Sequence, residues 1–377
     1  MKVLVISSIP WSESNRGIDI LTSFFIEYGS QVTHVVFPNY VNTKQRWSKF
    51  LQHQKLPKNL TQIFSSRSFI AYSSKYMRSL PKALKRFIFK SHIKTLVRVV
   101  DMSEFDIIVV ESGKPVILSS ILPRDRFVIY RQSDPMKLMV PNDRELLEEE
   151  FNVMTKSSLI LTVRSIFKEW LPEPIKKKAE VWVNGFDVPK RVDLSNPYQN
   201  SKKNAVYLGY SPLDVETLKI IADNHEDVDF HIIGRCVSKR KMQSLSQRYS
   251  NLIFYGNLSA KEYIPLIKFA DFAIVPYANL EILKYVGLNS KFLLFMYFGL
   301  PIVSYKTHLL NERTIEGVLF AESAHEFSEK ISIAKKMGRV QYDIDFDFYS
   351  SENRKIELKN ILERYLGKCP NRLQFTY

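Results

Sequence analysis

The sequence predicts an α/β protein of two doubly wound domains, each built on a parallel sheet. Three observations carry this reading. Short runs of β-branched and apolar residues alternate with helical patterns along the whole chain. Several of those runs are apolar on both faces, as strands covered by helices on either side must be. At 377 residues the chain is long enough for two ordinary cores.

In the first half the predicted strands are KVLVIS (2–7), QVTHVVF (31–37), DIIVVES (106–112), RFVIYR (126–131), SLILTV (158–163) and AEVWVN (179–184). MKVLVISSIPW has only Val3 to Ile6 as its apolar stretch, so it reads as a first buried strand rather than a leader. A helix from Asp143 to Met154 gathers Glu145, Glu148, Glu149 and Glu150 towards its start, where the helix dipole favours acids. The polar stretch 187–203 reads as a linker. The domains expected are 1–186 and 204–345, with a final helix and tail over 346–377.

The second half repeats the alternation. Strands are expected at NAVYLGY (204–210), VDFHIIG (228–234), NLIFYG (251–256), DFAIVPY (271–277), PIVSY (301–305) and GVLFAES (317–323). Helices are expected over 213–224, 238–249, 259–269, 290–298 and about 351–365. In such sheets ligands bind at the carboxyl ends of the strands, so the loops after strands are where chemistry belongs. Two domains of this kind would face each other across a cleft.

Three of those loops begin with glycine: Gly209-Tyr210-Ser211, Gly234-Arg235 and Gly256-Asn257. Glycine lets backbone N–H groups approach a ligand closely, and the helix start that follows adds a positive dipole. In NSKFLLFMYFGLP (289–301), Asn289 or Ser290 can cap a helix whose first turn holds Lys291. A first-turn lysine opposes the dipole by ~0.3–1 kcal/mol unless an anion sits there, and a diphosphate would reverse the sign. The plain alternative is a surface lysine whose stem covers apolar area. In the first half RFVIYRQSD delivers Arg131 and Asp134 to a strand end, and VVESG delivers Glu111. Either carboxylate could take a proton from an attacking hydroxyl, with Glu111 the runner-up, although Asp134 could simply cap the turn before Pro135.

Phosphate-loop, GxSxG, HExxH and EF-hand patterns are missing, the seven histidines have no metal spacing, and DIDFD (343–347) lies beyond the second sheet. No metal site is expected. Two cysteines, Cys236 and Cys369, are too few for a disulfide framework.

Net charge is +15, and its source is local: from Tyr28 to Val100 there are 14 Lys or Arg and no Asp or Glu. Within segment 42–100, Arg78, Lys82, Arg86, Lys90, Lys94 and Arg98 recur every four residues, interleaved with Leu84, Phe87, Ile88, Ile93, Leu96 and Val97. Upstream, Trp47, Phe50, Phe64, Phe69, Tyr72 and Tyr76 mix with further cations. A basic amphipathic helix beside such aromatics suits an anionic membrane surface. Nucleic acid is the other polyanion, but no nucleic-acid motif accompanies the charge, so it is not expected as a partner. No run is long and apolar enough to span a bilayer, which leaves attachment to a membrane face.

From about 105 to 305 the chain resembles the membrane-associated glucuronosyltransferases of bacterial exopolysaccharide assembly. VVESG, VIYRQSD, ELLEEEFNVM, NGFD, AVYLGYSPLD, VDFHIIG, NLIFYGNL, ADFAIVPYA and SKFLLFMYFGLPIV occur in that order. The resemblance implies a GT-B fold, two Rossmann-like domains across a cleft with a C-terminal helix returning to the first. It implies inverting, metal-independent transfer from a UDP-sugar, with glucuronate as best guess, to a lipid-linked saccharide at the inner face of the cell membrane. Asp134 would be the base, Lys291 the diphosphate contact and Tyr277 part of the nucleotide pocket, with Gly209 and Ser211 wrapping the phosphates. Asn257 and Leu294 stand where those relatives carry Glu and Gln. A sugar-nucleotide epimerase on the same fold, or a non-catalytic membrane-binding protein, are the other readings.

Overall fold

The computed structural model describes residues 1–12, 16–39, 55–66, 79–187, 195–199, 201–307 and 315–367. Residues 42–54 and 67–78 of the basic segment lie outside them, with Trp47, Phe50, Phe69, Tyr72, Tyr76 and Arg78. So do residues 188–194 and 200 of the expected linker, and 368–377 of the tail. The chain divides into two compact units: Met1–Gly185 with Phe348–Tyr377, and Phe186–Asp347.

The first unit is a seven-stranded parallel sheet: β1 (Lys2–Ser7), β2 (Gln31–Val36), β3 (Leu60–Phe64), β4 (Ile107–Glu111), β5 (Phe127–Gln132), β6 (Leu159–Thr162) and β7 (Ala179–Val181), in the order β3-β2-β1-β4-β5-β6-β7. Alternation along each strand feeds two separate cores. Val3, Val5, Ile107, Val109, Ile129 and Leu161 face α1 (Gly17–Glu27), whereas Leu4, Ile6, Ile108, Val110 and Tyr130 face the other way. That second core includes residues of α2 (Lys82–Val97) and α3 (Arg144–Lys156). Strand β3 was not expected. LTQIF is a half-exposed edge strand carrying two polar residues, so it lacks the doubly apolar signal of its neighbours.

The second unit is a six-stranded parallel sheet: β8 (Lys203–Leu208), β9 (Val228–Ile233), β10 (Leu252–Gly256), β11 (Phe272–Val275), β12 (Ile302–Tyr305) and β13 (Val318–Ala321), in the order β10-β9-β8-β11-β12-β13. Its helices include α4 (Val215–Asn224), α5 (Lys239–Arg248), α6 (Ala260–Phe269), α7 (Ser290–Tyr297) and α8 (Ala324–Ala334). Helix α8 was also unforeseen, although its signal is present. Ser323 Oγ accepts from the Glu326 backbone N–H at 3.2 Å, and Phe327, Ile331 and Ala334 recur on one buried face.

The last helix, α9 (Ser351–Leu366), belongs to the first unit. Its Leu358, Ile361, Leu362 and Leu366 join the α1-side core, and the Arg354 carbonyl accepts from Trp182 Nε1 at 2.9 Å. In each unit the chain works outward from the first strand and then returns to its other side. The order reverses between β1 and β4 and between β8 and β11, the places where doubly wound sheets open a crevice.

Candidate active site

At the second crevice, Asn289 caps α7: its Oδ1 accepts from the backbone N–H of Lys291 (3.2 Å) and Phe292 (3.3 Å). Phe292 to Met296 are all buried, at roughly 1.5–3 kcal/mol for each large apolar side chain. That burial outweighs the ~0.3–1 kcal/mol by which a first-turn cation opposes the dipole. Lys291 turns inward. Its Nζ donates to Tyr207 Oη at 3.2 Å and stands 4.6 and 4.8 Å from the ring centres of Tyr207 and Tyr277. It also sits so close to Gly209 that a Cβ there would come within 2.5 Å of the ammonium. Among the described residues its partners are aromatic faces and a phenol, with no carboxylate in ion-pair reach.

The three glycines adjoin as backbone. Gly209 N–H donates to Ile233 O (2.9 Å) and Gly234 N–H to Gly256 O (2.6 Å). Gly234 has φ +110°, and a Cβ on it would overlap the Gly209 carbonyl, so only glycine fits there. Burial pushes the Tyr207 phenol well above its ordinary range, so it stays neutral and donates to Ser211 O at 3.1 Å. Tyr277 Oη is buried with no hydrogen-bond partner among the described residues. Tyr210, Arg235, Asn257 and Ser290 are exposed, and Ser211 is half-buried. Burial pushes the Cys236 thiol up to about 11, which leaves it protonated at neutral pH.

Beside this cluster lies a cavity of about 1130 Å³ lined by Leu213, Asp214, Tyr277, Leu280, Tyr305 and Thr307, among others. Asp214 was not singled out from the sequence. It caps α4 and accepts from Thr217 Oγ1 (2.7 Å) and Tyr305 Oη (3.4 Å).

In the first unit the three expected residues meet at the ends of β4 and β5, in different states. Arg131 is buried, its Nη1 donating to Glu111 Oε1 (2.6 Å) and to Ser133 Oγ, its Nη2 to Asn184 Oδ1 (2.5 Å). Gly17, at the head of α1, lies flush against that guanidinium. Glu111 is thus engaged; burial raises its carboxyl while Arg131 and Ser133 pull it down. Asp134 is the open carboxyl of the two: its side chain is accessible to solvent. Desolvation by the protein around it still raises its pKa, opposed first by Arg164 and then by Arg131. Arg164 and Asn184 escaped the sequence reading. Register offered the missing signal for Arg164, because Gln132 pairs with Thr162 and residues 134 and 164 lie equally far beyond that pair.

Helix α2 presents Lys82, Arg86, Lys90 and Lys94 to solvent together with Leu84, Phe87 and Val97, of which Phe87 is 62% exposed. Its opposite face buries Ile88, Phe89, Leu96 and Lys85, whose ammonium meets Asp143 (3.1 Å) and Glu145 (2.9 Å) at the start of α3. Among the described residues no helix is long and apolar enough to cross a membrane, and no three His, Cys, Asp or Glu gather as a metal site.

Sucrose-phosphate synthase from Thermosynechococcus elongatus superposes with a TM-score of 0.71 over 97% of this chain and 99% of its own, at 12% identity. The chain has the GT-B fold. Other GT-B structures include HepE of Anabaena in complex with UDP-glucose (TM-score 0.61, 15% identity, 97% and 100% covered). UDP-GlcNAc 2-epimerase from Methanocaldococcus jannaschii also superposes (TM-score 0.56, 11% identity, 97% and 100% covered). Within the GT-B frame, residues 213–334 match the family model Glycosyl transferases group 1. A curated relative, the UDP-glucuronate:glycolipid 2-beta-glucuronosyltransferase of Xanthomonas campestris pv. campestris, is 28% identical over 208 residues. That match covers 54% of this chain and half of the relative's length.

Proposed function

We propose that the protein is an inverting glycosyltransferase that moves a sugar, glucuronic acid by preference, from its UDP donor to a lipid-linked saccharide of bacterial exopolysaccharide or glycolipid synthesis. The observation that carries this reading is Lys291: an ammonium turned onto two tyrosine faces beside Gly209, with no carboxylate partner among the described residues. A cation held this way at a helix start and strand-end crevice is arranged for an anion, and a diphosphate supplies the opposite charge. The match of residues 213–334 and the UDP-glucose bound to HepE support the donor class. The Xanthomonas relative supports the sugar and the glycolipid acceptor.

In the proposed reaction the acceptor hydroxyl gives its proton to Asp134 as its oxygen attacks the anomeric carbon. The bond from that carbon to the diphosphate breaks, and Lys291, with backbone N–H groups after β8 and β9, offsets the charge that grows on UDP. No step in this scheme is assigned to a metal. The exposed cations and apolar residues of α2 would keep the enzyme on an anionic membrane face, where a lipid-linked acceptor resides. The test is transfer of labelled sugar from UDP-glucuronate and UDP-glucose to lipid extracts by the parent and Asp134→Asn. The variant is expected to bind UDP as the parent does and to lose roughly 10²-fold or more in transfer. Undiminished turnover would hand the base role to another group, and product formed without acceptor would favour an epimerase.

A further inference from the structure

Glu150 lies in the middle of α3 and is 5% exposed, away from the helix start where the sequence pattern groups it with its acidic neighbours. A carboxylate there needs partners. It finds them on both sides of Asp134. Glu150 Oε1 accepts from Tyr130 Oη (2.8 Å) and Gln132 Nε2 (3.1 Å) on β5, and the Met136 backbone N–H approaches both carboxyl oxygens at 3.3 Å. One buried group thus ties down the residues two before and two after Asp134. From the other side Ser112 Oγ accepts from the backbone N–H of Ser133 (3.1 Å) and Asp134 (3.3 Å). Pro135 completes the turn with φ −62° and ψ 132°. Segment 132–136 is held at four points, the backbone N–H groups of 133, 134 and 136 and the Gln132 side chain, while the Asp134 carboxyl it carries has been left accessible.

We infer that Glu150, with Ser112, is a positioning residue, one that fixes the place of the Asp134 carboxyl by clamping loop 132–136 from behind. The inference rests on the base role proposed for Asp134. It concerns reach rather than charge, because every contact of Glu150 named above is one in which an oxygen accepts a hydrogen bond.

Two substitutions separate reach from charge. Glu150→Gln keeps the length and an acceptor oxygen for Tyr130, Gln132 and Met136. Glu150→Asp keeps the charge but withdraws the carboxyl by about 1.5 Å, one carbon–carbon bond. Positioning predicts parent-like transfer for Glu150→Gln. For Glu150→Asp it predicts a kcat lowered roughly tenfold to a hundredfold with KM for the UDP-sugar unchanged, the scale expected when a reacting group is misplaced by about 1 Å. Ser112→Ala, which deletes one half-buried hydroxyl, is expected to lower kcat in the same direction with the same unchanged KM, and it keeps the test alive should Glu150→Asp not fold. Parent-like kcat in both Glu150→Asp and Ser112→Ala, or an equal loss in Glu150→Gln and Glu150→Asp, would overturn the inference. Asp134→Asn measured in parallel distinguishes the two failures. If it retains transfer, the base assignment is wrong; if it is inactive while Glu150→Asp and Ser112→Ala are not, only the positioning role falls.

Discussion

At Asp134 two opposing influences act on one carboxyl. Desolvation raises its pKa, and the guanidinium groups of Arg164 and Arg131 lower it, with desolvation the stronger. A general base must be ionised, so a raised pKa moves the acid limb of kcat/KM above the ~3.9 of an ordinary aspartate. Arg164 is the larger of the two charge effects. Arg164→Gln is therefore expected to shift that limb to higher pH, because a nearby cation favours the ionised form. Rate profiles of parent and variant check this, and superimposable limbs would contradict it. The residues singled out by type at a strand end or helix start were Lys291, Asp134 and the three glycines, whereas Tyr277 came from the family resemblance alone. Arg164, Asn184 and Glu150 were not legible in this way, because their roles come from contacts with residues 14 to 53 positions away or from strand register. Glu111 and Arg131 were legible as a pair of polar strand ends, but only the folded chain joins them as a buried ion pair.

Among the elements, α2 shows what a four-residue period can and cannot reveal. Counting Lys82, Arg86, Lys90 and Lys94 found the exposed stripe, but it passed over Lys85, which is buried against Asp143 and Glu145 and pins the helix to α3. The basic stripe faces solvent, with Lys82 also within 3.9 Å of the exposed Glu148 of α3, and it is the face proposed to meet a membrane surface. Replacing its four cations by Gln is expected to weaken binding to vesicles containing anionic lipid roughly 100-fold or more, at ~1 kcal/mol per basic residue near the headgroups. Co-sedimentation with anionic and zwitterionic vesicles measures this, and equal retention of parent and variant would remove the membrane assignment. Two other elements were missed for contrasting reasons. Strand β3 is too polar to stand out, and it becomes a strand by pairing with β2. Helix α8 announces itself with Ser323 and Glu326 three residues apart, yet it follows a strand so closely that the apolar pattern of one blurs into the other.

For the molecule as a whole, the doubly wound architecture was legible because both faces of each central strand are buried and the chain therefore writes them as apolar runs. Function is another matter, since the GT-B fold serves transferases and epimerases alike and the choice lies in the site. The account turns on the second unit binding a nucleoside diphosphate at Lys291. Calorimetric titration of UDP into the parent protein and Lys291→Ala tests this most directly. The account predicts saturable binding by the parent, weakened roughly tenfold to a hundredfold in the variant, the scale of one lost charge-assisted contact of ~1.5–3 kcal/mol. No binding by the parent, or equal affinity in the two proteins, would contradict it.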